Sequence, residues 1–140
     1  MRSAIGEIDF AIKDLYALSA KYKAEHFVIR DVHAEHAIGT RAATAALVVQ
    51  DRAAEDELCL GIYLSTPVQK VLSDFRHWEH QRWTAKRVGA FLIAVEEVSH
   101  FNFLIYRHLH NRPVSHIELE AQAEIDKFIL LKGETSTACG

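Results

Sequence analysis

Carboxylate and imidazole side chains are concentrated between residues 96 and 126, where their types and spacing could support metal binding or proton transfer. The acidic and histidine residues of this segment are Glu96, Glu97, His100, His108, His110, His116, Glu118, Glu120, Glu124 and Asp126. The chain has no glycine-rich nucleotide loop, nucleophile elbow or paired zinc motif to accompany them. The segment therefore indicates a kind of chemistry without identifying a substrate.

Within this segment, Glu97-Val-Ser-His100 places a glutamate and a histidine on one face of a helix. This Glu-x-x-His spacing resembles one half-site of the di-iron carboxylate bundles. The resemblance implies a site for iron, manganese or zinc, to which Glu124, His33 and His36 could add ligands. The bundles have a second Glu-x-x-His and two further glutamates, whereas this chain has one copy. Ordinary intrahelical pairing of Glu97 with His100 is the alternative explanation.

A basic and aromatic cluster between residues 76 and 87 is the second candidate site. Tryptophan and arginine are the residue types most often found at interface hot spots, so we expect a patch that contacts a protein partner or a second copy. The predicted partner-binding residues are Arg76, Trp78, Arg82, Trp83 and Arg87. Two alternatives are that the tryptophans anchor a corner between helices, or that the cluster stacks on nucleic-acid bases.

Composition narrows the partners and the compartment. The 140 residues are 49% hydrophobic, enough for one domain with its own core. A formal charge of -3 provides no general basic field, so nucleic acid is an unlikely partner. Cys59 and Cys139 do not suggest a disulfide framework, which favours a cytoplasmic setting. The longest apolar run, residues 88–95, is too short for a span, so we expect no membrane contact.

Apolar residues at three- and four-residue steps predict four helices. The first lies behind the N-cap residue Ser3, the second starts at Thr66-Pro-Val-Gln69, and the fourth starts at the capping box Ser115-His-Ile-Glu118. The predicted ranges are about 3–24 for the first helix, 84–109 for a long central third helix, and 115 to about 132 for the fourth.

Residues 46–50 and 57–64 are rich in β-prone side chains and flank a polar turn, which predicts an antiparallel hairpin after the first helix. One face of the second strand is expected to pack on helices, and it carries Leu58, Leu60, Ile62 and Leu64. A two-stranded hairpin is marginal by itself. Residues 26–30 or a second subunit could extend it, and the latter possibility favours a homodimer.

Helical-wheel positions predict which faces are buried. In the helix over 84–109, Asn102 falls on the buried seam, and Glu97 and His100 are turned away from the side expected to contact the fourth helix. The fourth helix has an apolar stripe that we expect to pack on the core. Its members are Ile117, Ala121, Ile125 and Phe128. Glu124 falls within this stripe and would need a buried partner.

The sequence therefore predicts an α+β fold with a single domain over residues 1–132 and a disordered tail over 133–140. The favoured function is that of a small cytoplasmic, non-catalytic interaction or regulatory domain that acts through the Trp/Arg patch without a cofactor. Poor nucleophile candidates argue against an enzyme, because Cys59 lies in an apolar strand and Ser115 is explained by capping. The alternative is a metal-binding protein that uses Glu97, His100 and Glu124.

Overall fold

The computed structural model describes residues 3–29, 44–52, 57–75 and 83–139. In these ranges the chain is an α+β protein with four helices and a three-stranded sheet, which confirms the predicted fold class. The elements in chain order are α1 (Ala4–Tyr16), a 3₁₀ turn (Ala24–Phe27), β1 (Val28–Ile29), β2 (Ala45–Arg52), β3 (Glu57–Leu64), α2 (Thr66–Leu72), α3 (Ala85–Leu109) and α4 (His116–Cys139).

Helix α1 begins where predicted, because the Ser3 hydroxyl accepts a hydrogen bond from the Gly6 amide at 3.1 Å. It ends at Tyr16, so the predicted end near residue 24 is wrong. Ala17 adopts a left-handed conformation with φ of 54°, which stops the helix and turns the chain. The following 3₁₀ turn is held to α1 by the Ala24 amide, which donates to Asp9 Oδ2 at 3.0 Å.

The predicted hairpin is confirmed: β2 pairs antiparallel with β3, and its register runs from Ala45 opposite Leu64 to Arg52 opposite Glu57. Strand β1 adds to the other edge of β3 in parallel, with Val28 opposite Ile62. A Cβ atom at Gly61 would lie 2.2 Å from Ile29 Cδ1, so glycine allows this close approach of β1.

Helix α3 forms the centre of the core and matches the predicted range. The Thr84 hydroxyl caps it by accepting from the Arg87 amide at 3.2 Å. Phe91, Val95 and Phe101 are almost fully buried, and α3 contacts α1, α2, α4 and the sheet. Of the described helices, α3 has the length and mean hydropathy to cross a membrane, but 56% of that apolar window is buried inside the protein. The core helix of a globular domain passes the same test.

Two further helix boundaries differ from the prediction. The N-cap residue of α2 is Ser65 rather than Thr66. The side-chain amide of Gln69 donates to the Leu64 carbonyl at 2.7 Å. Helix α4 starts at the predicted Ser115 cap but extends to Cys139, past the predicted end near Lys132. Gly133 does not end α4, because a glycine inside a helix costs only about 1 kcal/mol and no proline follows it.

The buried face of α4 is not the predicted one. Ala123 and Asp126 are buried against the rest of the protein, and Leu130 and Leu131 pack on the core. The stripe that contains Ile117, Ile125 and Phe128 faces solvent, so its predicted burial is wrong. The reason is that hydrogen bonds to Asp126 from α1 and α3 fix the inward face of α4.

Candidate functional site

The structure describes two of the five predicted partner-binding residues. Arg76, Trp78 and Arg82 lie outside the described residues. The Trp83 ring meets the Phe91 ring edge-on, with centroids 5.4 Å apart, and packs against the core. Arg87 is half-buried in the first turn of α3. Trp83 therefore anchors the start of α3, and a contact role for the patch as a whole stays a prediction.

The acidic and histidine cluster lies between α3 and α4. Glu97 and His100 are one turn apart on α3, and both are buried. His100 Nδ1 lies 3.8 Å from Glu97 Oε2, and His100 Nε2 lies 3.4 Å from Glu120 Oε1 on α4. The expectation that Glu97 and His100 point away from the fourth helix is therefore wrong. It fails because α3 is covered on several sides, so that more than one of its faces is buried.

The electrostatic environment of His100 favours its charged form. Burial lowers the pKa of His100, but the close Glu97 carboxylate and the negative charges of Glu120 and Glu96 raise the pKa by more than burial lowers it, so the net pKa is above 6.5. Glu97 Oε2 and His100 Nε2 form no aligned hydrogen bond within the described part of the protein. The attraction is therefore electrostatic, and it is strongest when the imidazole of His100 is protonated.

Among the described candidate metal ligands, Glu124 does not join Glu97 and His100. The Glu124 side chain is 68% exposed and pairs with Lys127 at 2.8 Å, so its predicted burial with a buried partner is wrong. His33 and His36 fall outside the described ranges. In the described ranges, no group of three or more histidine, cysteine or acidic residues could hold a metal ion. The arrangement of Glu97, His100 and Glu120 is that of a charge cluster.

The buried carboxylate of α4 is Asp126, which is 1% exposed. Its Oδ1 atom accepts from the Tyr16 hydroxyl at 2.5 Å and from the side-chain amide of Gln122 at 3.1 Å. Its Oδ2 atom accepts from the Ser99 hydroxyl at 2.6 Å. These donors come from α1, α3 and α4, so Asp126 fixes the relative positions of three helices. Asn102 is buried as predicted and donates to Asp9 Oδ1 at 2.8 Å.

Helix α4 carries an apolar face that is exposed to solvent. We define this outward apolar face by Ile117, Ala121, Ile125 and Phe128, which recur at steps of four, four and three residues. Ile117 is 79% exposed, Ile125 is 52% exposed and Phe128 is 67% exposed. Contiguous apolar side chains on a protein surface are typical of interaction sites.

Charged residues on α4 are distributed unevenly along its length. Glu118, Glu120 and Glu124 precede Lys127 and Lys132 along the helix, and Glu134 follows them. Glu118 pairs with Arg107 at 2.6 Å, and Lys127 lies between Glu96 and Glu124. The helix surface therefore changes from acidic to basic along the outward apolar face.

Sequence reasoning missed the roles of Asp126 and Glu120. A signal was present, because Leu119, Ala123, Asp126 and Leu130 recur at steps of four, three and four residues and form a second stripe opposite the predicted one.

In the comparisons with known proteins, no family model, curated protein or solved structure matches the chain. Its function is therefore argued from the geometry described above.

Proposed function

We propose that this protein is a non-catalytic interaction domain that self-associates through the outward apolar face of α4. The observation that carries the proposal is the exposure of Ile117, Ile125 and Phe128 at 79%, 52% and 67%. The proposal keeps the class of function expected from the sequence. It moves the contact surface from the Trp/Arg patch to α4.

Helix α4 has an apolar stripe on each of two opposite sides. The side with Ala123 and Leu130 packs on the protein itself, while the side with Ile117 and Phe128 has no covering element in the described part of the chain. A helix that only covers a core usually has one apolar face and a polar outer face. The second stripe is what a helix between two packed layers requires.

The charge distribution supports a second copy as the occupant. If two α4 helices pack antiparallel about a two-fold axis at Ile125, Glu118 of one copy lies opposite Lys132 of the other. A parallel arrangement would place like charges together. The same antiparallel register brings the small Ala121 near the larger Phe128 of the other copy, which suits interdigitation of the two stripes.

The size of the outward apolar face sets the expected affinity of the dimer. From Ile117 to Phe128 the helix rises about 16 Å. Stable interfaces bury about 800 Å² per partner, more than a few side chains supply, so residues beside the stripe must complete the contact. We therefore expect a dimer with a dissociation constant in the micromolar range.

Sedimentation equilibrium over a range of protein concentrations tests the proposal. We expect a monomer–dimer equilibrium that Phe128→Ser weakens at least tenfold, because the substitution removes the largest apolar side chain of the face. The matched control is Leu15→Ser, which changes an apolar side chain of α1 that is 44% exposed. This control should leave the equilibrium unchanged.

Circular dichroism should show that both variants stay folded, because both side chains are exposed in the monomer. The proposal is wrong if the protein stays monomeric at millimolar concentration, or if Phe128→Ser and Leu15→Ser have the same effect on association. Higher salt should weaken the dimer if the antiparallel charge pairing is correct.

A further inference from the structure

A cavity of about 260 Å³ lies between the end of α1, the middle of α3 and the inward face of α4. Three aromatic side chains, Tyr16, Phe103 and Tyr106, contribute to its walls, and Asp126 lies among the polar groups that line it. A second cavity of about 300 Å³ shares Leu18, Asn102 and Tyr106 with the first. This region does not overlap the outward apolar face of α4.

The negative charge of Asp126 has no cationic partner among the described residues. Its three hydrogen-bond donors, Tyr16, Ser99 and Gln122, are neutral. Of the lysines on these three helices, Lys13 pairs with Asp9, and Lys127 pairs with Glu96 and Glu124. A nearby positive charge strongly favours the ionised form of a buried carboxylate of this kind.

The hydrogen bonds to Asp126 also leave room for one more donor. A carboxylate accepts about four hydrogen bonds in total. Oδ1 receives two, from Tyr16 and Gln122, and Oδ2 receives one, from Ser99. The remaining acceptor position is therefore on Oδ2.

The aromatic walls favour the same kind of ligand. A cation near the face of a tyrosine ring gains electrostatic attraction, and the gain is greatest where water is excluded. The rings in question are Tyr16 and Tyr106, because the Arg107 guanidinium already lies 5.5 Å from the centroid of Phe103. The apolar residues Ile12 and Leu18 also line the cavity and would contact an apolar body. The volume restricts the ligand to a small molecule, since drug-sized ligands occupy about 300–1,000 Å³.

We propose that this cavity binds a small organic cation, a protonated amine on an aromatic or aliphatic body, with its ammonium group directed to Asp126. Tyr16, Phe103 and Tyr106 enclose the apolar body. This activity is independent of self-association through α4, and either can be present without the other.

NMR titration of the isotope-labelled protein at pH 7 tests this inference with three probes of similar shape. They are 2-phenylethylamine, which is a cation, 2-phenylethanol, which is neutral, and phenylacetate, which is an anion. We expect the amine to bind at least tenfold more tightly than the alcohol and phenylacetate not to bind. The shifted amide signals should include those of Ser99, Phe103 and Gln122.

Two variants assign the preference to the carboxylate. Asp126→Asn removes the charge and should abolish the tenfold preference for the amine over the alcohol. The matched control Asp14→Asn removes an exposed charge from α1 and should leave the preference intact. If Asp126→Asn does not fold, the side-chain carboxyl ¹³C signal of Asp126 in the wild type decides. An ammonium group at Oδ2 should shift this signal during titration with 2-phenylethylamine, whereas 2-phenylethanol should leave it in place.

Equal affinity for the amine and the alcohol overturns the inference, as does the absence of amine binding. Amide shifts confined to residues outside the cavity overturn it as well. Loss of the preference in Asp14→Asn would also contradict it, because that substitution does not remove the Asp126 charge. An Asp126 carboxyl signal that does not shift on addition of the amine would contradict it as well.

Discussion

The Tyr16 hydroxyl donates to Asp126 Oδ1 at 2.5 Å and so joins the first helix to the last across 110 positions of the chain. Burial raises the pKa of Tyr16 to about 12, and the hydrogen bond to Asp126 and its negative charge act in the same direction. The folded protein therefore favours the protonated phenol. Part of the stability of the contact between α1 and α4 depends on that proton.

We expect this contact to make stability depend on pH in the alkaline range. The pKa of Tyr16 rises from 10.0 in the unfolded reference to about 12 in the fold, so the stabilisation is fully present below pH 10 and is lost as the pH rises towards 12. Tyr16→Phe should lack this component. At pH 7 it should also lower the free energy of unfolding by about 1–2 kcal/mol through the lost hydrogen bond.

Urea unfolding at pH 7 and at a series of pH values from 10 to 12 measures both effects for Tyr16→Phe. Tyr22→Phe is the control, since Tyr22 is exposed near the 3₁₀ turn. Tyrosinate absorbance compared between the wild type and Tyr16→Phe reports the titration of Tyr16 itself. A Tyr16 that ionises at pH 10 would show that the hydroxyl does not favour its hydrogen bond to Asp126.

Two acidic residues on α4 should respond very differently to truncation, although they are two positions apart. Asp126 is 1% exposed and accepts three hydrogen bonds, whereas the Glu124 side chain is 68% exposed and pairs with one lysine. Asp126→Ala leaves buried donors without a partner and should cost about 2–4 kcal/mol. Glu124→Ala removes an exposed pair and should cost less than about 0.5 kcal/mol.

Guanidinium unfolding of both variants, followed by circular dichroism, gives this comparison directly. Asp126→Asn should be less damaging than Asp126→Ala, because the amide oxygen can still accept from Tyr16 or Ser99. Similar losses for the alanine variants at 124 and 126 would mean that the inward face of α4 is not the one described.

Local signals were sufficient for the elements that depend on neighbouring residues. Thr84 and the apolar spacing behind it predict α3 within one residue, and the β-prone runs around a polar turn predict the pairing of β2 with β3. Such signals could not predict the end of α1. The helix ends at Ala17, which adopts a left-handed conformation although it is neither glycine nor asparagine.

The orientation of α4 could not be read from the helix alone. Periodicity finds the stripe through Phe128, but α4 has a second stripe through Ala123, and the choice between them depends on contacts with α1 and α3. The decisive partners of Asp126 are 27 and 110 positions away in sequence, at Ser99 and Tyr16. For the same reason, the wheel identified buried Asn102 but not its partner Asp9, 93 positions away.

His100 should make stability depend on pH near neutrality, in the direction opposite to a buried neutral histidine. Burial lowers the pKa of His100, but Glu97, Glu120 and Glu96 raise it by more than burial lowers it. The pKa in the fold is therefore above the reference value of 6.5. The stabilisation is then fully present below pH 6.5 and is lost as the pH rises through the pKa of the folded state. His100→Gln should remove this dependence.

NMR titration of the imidazole signals together with urea unfolding across the same pH range tests the role of His100. Glu120→Gln should lower the pKa of His100, because it removes a carboxylate 3.4 Å from Nε2. His116→Gln is the matched control, since its side chain is 85% exposed and lies 3.8 Å from the same Glu120. If His100 titrates below 6.5, desolvation outweighs the surrounding carboxylates, and the cluster between α3 and α4 holds a neutral imidazole instead of an ion pair.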